Sequence, residues 1–136
     1  MHEKWKPFDN GMYEISNMGR VYSVKNNIIM QQDKLPKGYK LLKTRCNGQY
    51  VHHYIHDLVA EAFIYPKPQG LQVNHKDLIK SNNVYTNLEY TTQRDNSLHA
   101  LHNGALSIAK LTYTKAKKIR QLHKIGEYTY RELGLK

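Results

Sequence analysis

Residues 71–102, LQVNHKDLIKSNNVYTNLEYTTQRDNSLHALH, read as a short strand, a polar loop, a second strand and a helix. Leu71 and Val73 alternate with Gln72 and Asn74, the period of a half-buried strand that ends at His75. The loop that follows is dense in Asn, Asp, Lys and Ser, residues that favour turns and exclude a core. A second strand is expected over Leu88 to Thr91. Thr92 with Asp95 then gives a helix start, a hydroxyl cap with an acid in the first turn. Leu98 and Leu101 are expected to form the buried side of that helix. Asn96 and His99, three residues apart, share another face. If the helix packs on the two strands, Asn96 or His99 approaches Asn74 and His75.

The flanks of this stretch explain the overall charge. The chain of 136 residues carries a net charge of +10 and has a pI near 9.6, which points to a polyanionic partner, nucleic acid before an anionic membrane. Residues 1–50 hold nine Lys and Arg against four acids, and residues 110–136 hold eight against two. Residues 51–109 hold four against five, so two basic arms surround a nearly neutral centre. No run of 18 apolar residues and no signal peptide is visible, so the expectation is a soluble, cytoplasmic protein without a membrane partner. The single cysteine, Cys46, excludes an internal disulfide framework and a cysteine-based zinc cluster.

The order His75, Asn87, Asn96, with the wording VNHKD, NN, TNLEYTT and DN, resembles the HNH homing endonucleases of phage group I introns and their free-standing relatives. The resemblance covers nearly the whole chain. It implies a ββα-metal finger that cuts DNA. Hydrolysing a phosphodiester needs an activated water, charge neutralisation at the phosphate and help for the departing 3′ oxygen. By resemblance, His75 is the general base, a task that suits imidazole near neutral pH. One divalent ion, Mg²⁺ or Mn²⁺, is held by side-chain oxygens of Asn74 and Asn96. Asn87 hydrogen-bonds backbone and fixes the loop so that His75 points correctly. The implied catalytic set is therefore His75, Asn87 and Asn96, with Asn96 standing where other members carry His. The best-understood relatives have Asp at the position of Asn74. With both ligands neutral, no fixed protein anion is expected near the ion, and hard cations prefer carboxylate and phosphate oxygens. The metal is then expected to arrive mainly with the DNA phosphate. Asp77 is expected to cap the polar loop.

Upstream, Tyr13 to Ser16 and Arg20 to Ser23 alternate around an Asn17-Met18-Gly19 turn, which reads as a hairpin. Trp5, Tyr13, Ile15 and Val21 are its expected core, and the Trp, YEISN and GRVYS wording matches the module often found ahead of HNH cores. Further strands follow over residues 26–54, with Gly38 and Asn47-Gly48 as turns; Asn-Gly between alternating runs is a strong hairpin signal. Arg20, Lys25, Lys34, Lys37, Lys40, Lys43 and Arg45 are the expected DNA contacts of this region, since a basic sheet can track phosphates in the major groove. Lysines on strands also block edge pairing, so the patch counts for more than any one member. His56 to Phe63 reads as a helix with Leu58, Val59, Ala62 and Phe63 on one side, ended by Pro66 and Pro68. His56 at its start is expected to be structural.

Downstream, His102-Asn103-Gly104 ends the finger helix. A helix over Thr112 to Lys124 carries the stripe Ala116, Ile119, Leu122 and His123, with Lys115, Lys117, Lys118 and Arg120 on its remaining surface. Tyr128 to Leu133 starts another helical turn or two, as in the helix-turn-helix that follows many HNH cores. The sequence ends where a recognition helix would begin, so phosphate clamping rather than base reading is expected of the tail. His99 is assigned to DNA with the tail lysines and arginine. His52, His53, His99 and His102 lack an accompanying Cys-x-x-Cys, which argues against zinc. Most of the eleven tyrosines sit at strand-like spacing and are expected to pack rather than to stack on RNA.

The expected architecture is mixed α+β. It comprises an N-terminal antiparallel sheet module that contacts DNA (1–54), an HNH ββα-metal core (55–103) and a basic helical tail with an incomplete helix-turn-helix (104–136). The expected function is metal-dependent hydrolysis of double-stranded DNA by a monomer that nicks one strand, in the cytoplasm of a bacterial host if the gene is carried by a phage. The alternative is a non-cleaving DNA-binding protein on the same fold.

Overall fold

The computed structural model describes residues 2–46, 48–104, 113–124 and 126, apart from the side chains of Cys46, Tyr113 and His123. Trp5–Phe8 (β1), Tyr13–Ser16 (β2), Val21–Ser23 (β3) and Ile28–Ile29 (β4) form an antiparallel meander in that order. Pairing of Ile15 with Val21 places both side chains on the inner face, where each is fully buried. The Asn17–Gly19 turn between them is held by Ser16, whose Oγ accepts from the backbone N–H of Met18 and Arg20 at 3.2 and 3.0 Å. Gly19 adopts φ +80°, a conformation open to glycine at little cost. Trp5, expected in the core, is only half-buried because it lies on the edge strand β1, and Tyr13, on the inner strand β2, is half-buried but packs against the core. Trp5 packs its ring edge-on against Tyr22 instead.

Asp33–Lys34 (β5), Lys40–Cys46 (β6) and Gln49–Tyr54 (β7) form a second antiparallel sheet. The single N-terminal sheet expected from the sequence is thus two. The break falls between β4 and β5, where the Gln32 side-chain amide, not a backbone ladder, donates to the Gly19 carbonyl at 2.7 Å. Strands β6 and β7 run in register from Leu41↔Tyr54 to Cys46↔Gln49, so the hairpin closes over residues 47–48 as the Asn-Gly signal implied. Gly48 has φ +81°; Asn47 lies outside the described residues. Leu42 and Thr44 face inward, while Lys43 and Arg45 face out.

The helix Ile55–Phe63 (α1) follows directly and buries Ile55, His56, Val59 and Ala60. Ile55, Val59 and Ala60, with Ile15, Val21, Leu42, Val73 and Leu88, form one core shared by both sheets and the next pair of strands. Leu58, Ala62 and Phe63 pack against its margin. Gln72–His75 (β8) and Leu88–Thr91 (β9) then pair antiparallel in the register Gln72↔Thr91, Val73↔Tyr90, Asn74↔Glu89 and His75↔Leu88. The first strand begins one residue later than expected. Between them, the polar loop ends in a single 3₁₀ turn at Tyr85–Asn87.

The helix Gln93–His102 (α2) completes the strand–loop–strand–helix order read from the sequence. Its apolar side is weaker than expected: no residue of α2 is buried, and Leu98 is 39% exposed. With two leucines among polar and charged residues, the helix has no stripe wide enough to bury. The last described helix is Tyr113–Lys124 (α3), with Ala116, Ile119 and Leu122 half-buried and Lys115, Lys117, Lys118 and Arg120 exposed. Residues 105–112 and 128–133, including the expected start at Thr112 and the last helical turns, lie outside the described residues. Two compact units make up the chain, Met1–Gln93 and Arg94–Lys136. The α+β class read from the sequence is the class observed.

Candidate active site

His75 ends β8 almost fully buried, at 4% exposure. Its Nε2 lies 3.0 Å from Oδ1 of Asn83, itself buried. A carboxamide oxygen only accepts, so Nε2 carries the proton and the lone pair of the neutral ring is on Nδ1. Burial pushes the His75 pKa below the usual histidine value, although the Asn83 contact works in the opposite direction. The ring is therefore neutral at physiological pH.

Two aromatic rings back it. His56 stands edge-on at 5.3 Å between centroids, and Tyr39 approaches His75 at 6.1 Å and His56 at 5.1 Å. Tyr54 packs on His56 at 5.3 Å and on Tyr39 at 5.9 Å. Lys80 donates to the Tyr39 hydroxyl at 2.9 Å. His56 is buried as expected for a structural histidine, and its Nδ1 has no hydrogen-bond partner. Desolvation holds its pKa at about 4, against the pull of Asp57. The 3.8 Å approach of His56 to Asp57 is thus no ion pair at neutral pH, and Asp57 meets Lys67 at 3.2 Å instead.

The loop leaving His75 is tied by Asp77 and Asn87. Asn87 Oδ1 accepts from the Asp77 N–H at 3.1 Å, and its Nδ2 donates to the Asn82 carbonyl and to Asp77 Oδ1, each at 2.9 Å. Asp77 also accepts from the Ile79 N–H and from Asn82 Nδ2 at 2.8 and 2.7 Å. Every one of these bonds crosses the loop, so Asp77 serves the turn. Leu78 takes φ +64° within it, a left-handed conformation unusual for a branched apolar residue.

Asn74, one residue before His75, is 5% exposed and donates from Nδ2 to Glu89 Oε1 at 2.9 Å. A carboxylate therefore does lie beside Asn74, contrary to the expectation of a site without a fixed anion. The miss has a simple cause: the strand register that opposes residues 74 and 89 is not visible along one strand. Among the described residues no cluster of three or more His, Cys, Asp or Glu could hold a metal ion. The oxygen of Asn74 with an adjacent carboxylate is a hard donor pair of a kind that suits a divalent cation. Asn96 lies half-buried in α2, and His99 lies one turn further along the same helix.

The expected DNA contacts are scattered. Arg20 pairs with Glu3 through both nitrogens of its fork and lies over Trp5. Lys25, Lys34 and Lys37 are exposed, and Lys40 is half-buried opposite Lys34. Lys43 pairs with Asp33 at 2.9 Å, and the Arg45 guanidinium sits 6.0 Å from the Tyr50 ring. Lys43, Arg45, Tyr50 and His52 share the outer face of the β6–β7 hairpin, a cationic and aromatic surface.

The profile described as HNH endonuclease matches residues 53–98, and that of the NUMOD4 motif matches residues 3–56. DNA endonuclease I-HmuI of Bacillus phage SP01 is 34% identical over 109 residues, 79% of this chain and 63% of that protein. The uncharacterized HNH endonuclease L245 of Acanthamoeba polyphaga mimivirus is 37% identical over 131 residues, 94% of this chain and 37% of that one. A solved structure of the HNH homing endonuclease I-HmuI, concerned with its DNA binding and cleavage, matches with a TM-score of 0.71 at 32% identity, covering 89% of this chain and 68% of that chain. This chain belongs to the HNH homing endonuclease family. It spans less than two thirds of the curated relatives named above.

HNH nucleases are generally dependent on a divalent metal ion. In this HNH chain, sequence reasoning missed Asn83, Glu89, Tyr39 and Lys80. The paired asparagines 82 and 83 were a visible signal, but nothing distinguished the one that meets the histidine. Glu89 could have been found by laying the two strands antiparallel around the loop.

Proposed function

We propose that this chain hydrolyses a phosphodiester in double-stranded DNA, nicking one strand as a monomer, with His75 as general base and one divalent ion. The observation that carries the reading is the buried, neutral His75, held through Nε2 by Asn83 with its basic nitrogen directed by that contact. His75 Nδ1 takes a proton from water as the water oxygen bonds to phosphorus. The bond from phosphorus to the 3′ oxygen then breaks. Asn83 keeps the tautomer, and Asn87 with Asp77 keeps the loop that sets the ring. Asn74 would hold the ion; when bound, Mg²⁺ or Mn²⁺ would neutralise charge at the phosphate and the leaving oxygen. One finger per chain addresses one strand, which is why a nick is proposed. Phosphate contacts are assigned to the exposed cations of β6 and α3.

A supercoiled plasmid incubated with the protein and Mg²⁺ or Mn²⁺ should become the open circle, and EDTA should prevent it. His75→Ala should lower the nicking rate by about 10²–10⁴-fold. Its DNA affinity should stay within a few-fold of wild type. Undiminished nicking by folded His75→Ala protein would refute the assignment of the base.

A further inference from the structure

Glu89 is absent from the set of residues that the family resemblance assigns, yet it makes a direct side-chain contact with the candidate ligand Asn74. An asparagine side chain has two ends of nearly equal shape and opposite chemistry. A cation accepts only the oxygen; rotation of the amide by half a turn would present an NH₂ group to it. The two ends cost nothing to exchange unless a neighbour discriminates between them. An ionised carboxylate is such a neighbour, because it accepts and never donates. Glu89 faces Asn74 directly across the β8–β9 ladder, and its Oε1 receives the Asn74 Nδ2 at 2.9 Å. Both backbones are fixed by that ladder, and Asn74 is buried, so the contact belongs to the sheet and is not a chance surface pair.

From this we infer that Glu89 is a positioning residue for the metal: it selects the Oδ1 end of Asn74 as the ligating end and supplies the negative charge that the amide lacks. The inference rests on the proposed metal-dependent reading and deepens it. The hydrogen bond to a charged acceptor is shorter and stronger than one between neutral groups. It also draws electron density toward Oδ1, which makes a better ligand for a hard cation. Residues that orient a metal ligand in this manner typically affect metal affinity about 10–100-fold when removed.

The test separates orientation, charge and mere folding. In ¹⁵N-labelled protein, the side-chain NH₂ signal of Asn74 is identified by its loss in Asn74→Asp. Glu89→Ala should collapse its two proton shifts toward those of a free amide, whereas Glu89→Gln, which retains an acceptor oxygen, should keep them apart. The Mn²⁺ concentration for half-maximal plasmid nicking should rise about tenfold or more in Glu89→Ala. A smaller rise is expected in Glu89→Gln, with more of the rate recovered at saturating than at limiting Mn²⁺ and the melting temperature close to wild type in both. An Asn74 amide signal unmoved in Glu89→Ala, or a Mn²⁺ requirement equal to wild type, would overturn the inference. Equal loss of saturated rate and of melting temperature in both variants would overturn it too, since that is the signature of a structural contact. Should the wild type itself fail to nick, the nuclease reading falls, while the amide signals still decide whether Glu89 orients Asn74.

Discussion

The two buried histidines, 56 and 75, sit against each other in the core and respond to pH in the same direction. Desolvation holds His56 at a pKa of about 4, and lowers His75 as well. An unfolded histidine takes up its proton near pH 6.5. Protons therefore favour the unfolded chain, so the stability these groups carry is complete above pH 6.5 and is lost as pH falls toward about 4 for His56. Asp57 opposes this, while His75, Lys67 and Lys80 reinforce it. One such group contributes a slope of about 1.4 kcal/mol per pH unit across that window. His56→Phe keeps the ring against Tyr39 and Tyr54 and removes the titration. Urea unfolding from pH 7 to 4.5 should show a steep fall for wild type and a shallower one for the variant, with His75 supplying the remainder. Parallel curves would mean that His56 does not gain its proton on unfolding.

The loop between β8 and β9 carries a strained backbone position. Leu78 adopts φ +64° between the tied residues Asp77 and Ile79. A side chain in that region costs about 1–2 kcal/mol, and branching at Cβ makes it worse. Leu78→Val should destabilise the protein by about 1–2 kcal/mol in chemical denaturation. It should also slow nicking at a metal concentration that saturates wild type, because the same loop delivers His75. A Val variant with wild-type stability would mean that the loop relaxes without cost. This strain was invisible in the sequence, where Asp-Leu-Ile offers no glycine or asparagine to mark a left-handed residue. The elements themselves were legible: alternation gave β8 and β9, the Asn-Gly turn gave the β6–β7 hairpin, and the residues of α1 were found with its structural histidine. What failed depended on pairing across the chain. Splitting of the N-terminal sheet at Gln32 and the Asn74–Glu89 contact are both set by partners far away in sequence.

The N-terminal meander and the finger strands belong to one unit, and they approach closely at Gly19. A Cβ added to Gly19 would lie 2.8 Å from the Cβ of Asn83 and 3.3 Å from Ile55 Cγ2. Asn83 is the partner of His75, so the turn of the β2–β3 hairpin buttresses the base through one intervening residue. The Asn17 carbonyl also accepts from the Tyr85 N–H at 3.0 Å, closing the contact. Gly19→Ala must both strain a φ of +80° and displace Asn83. The expected result is a loss of about 1–3 kcal/mol in stability. The nicking rate at saturating metal should fall more than binding of DNA does. If activity per folded molecule is unchanged, the turn supports the fold but not the histidine.

Charge is distributed on a larger scale than any of these contacts. The cations of the first sheets are partly neutralised at home, Arg20 by Glu3 and Lys43 by Asp33. Residues 110–136 hold eight Lys and Arg against two acids, and on α3 Lys115, Lys117, Lys118 and Arg120 are exposed. Affinity for DNA then depends on salt through the counterions each phosphate contact releases, with a slope of about −0.9 in log K against log salt per contact. Replacing these four residues by Gln in the full chain should weaken binding uniformly across sequences and flatten the slope by about 3 to 4. Such a change leaves Asn74, His75 and Glu89 intact, so the rate from the saturated complex should hold. Binding measured from 50 to 300 mM KCl on two unrelated duplexes would separate the outcomes. A slope that does not move would show that α3 makes no phosphate contacts, and the whole electrostatic grip would then have to come from the outer face of the β6–β7 hairpin.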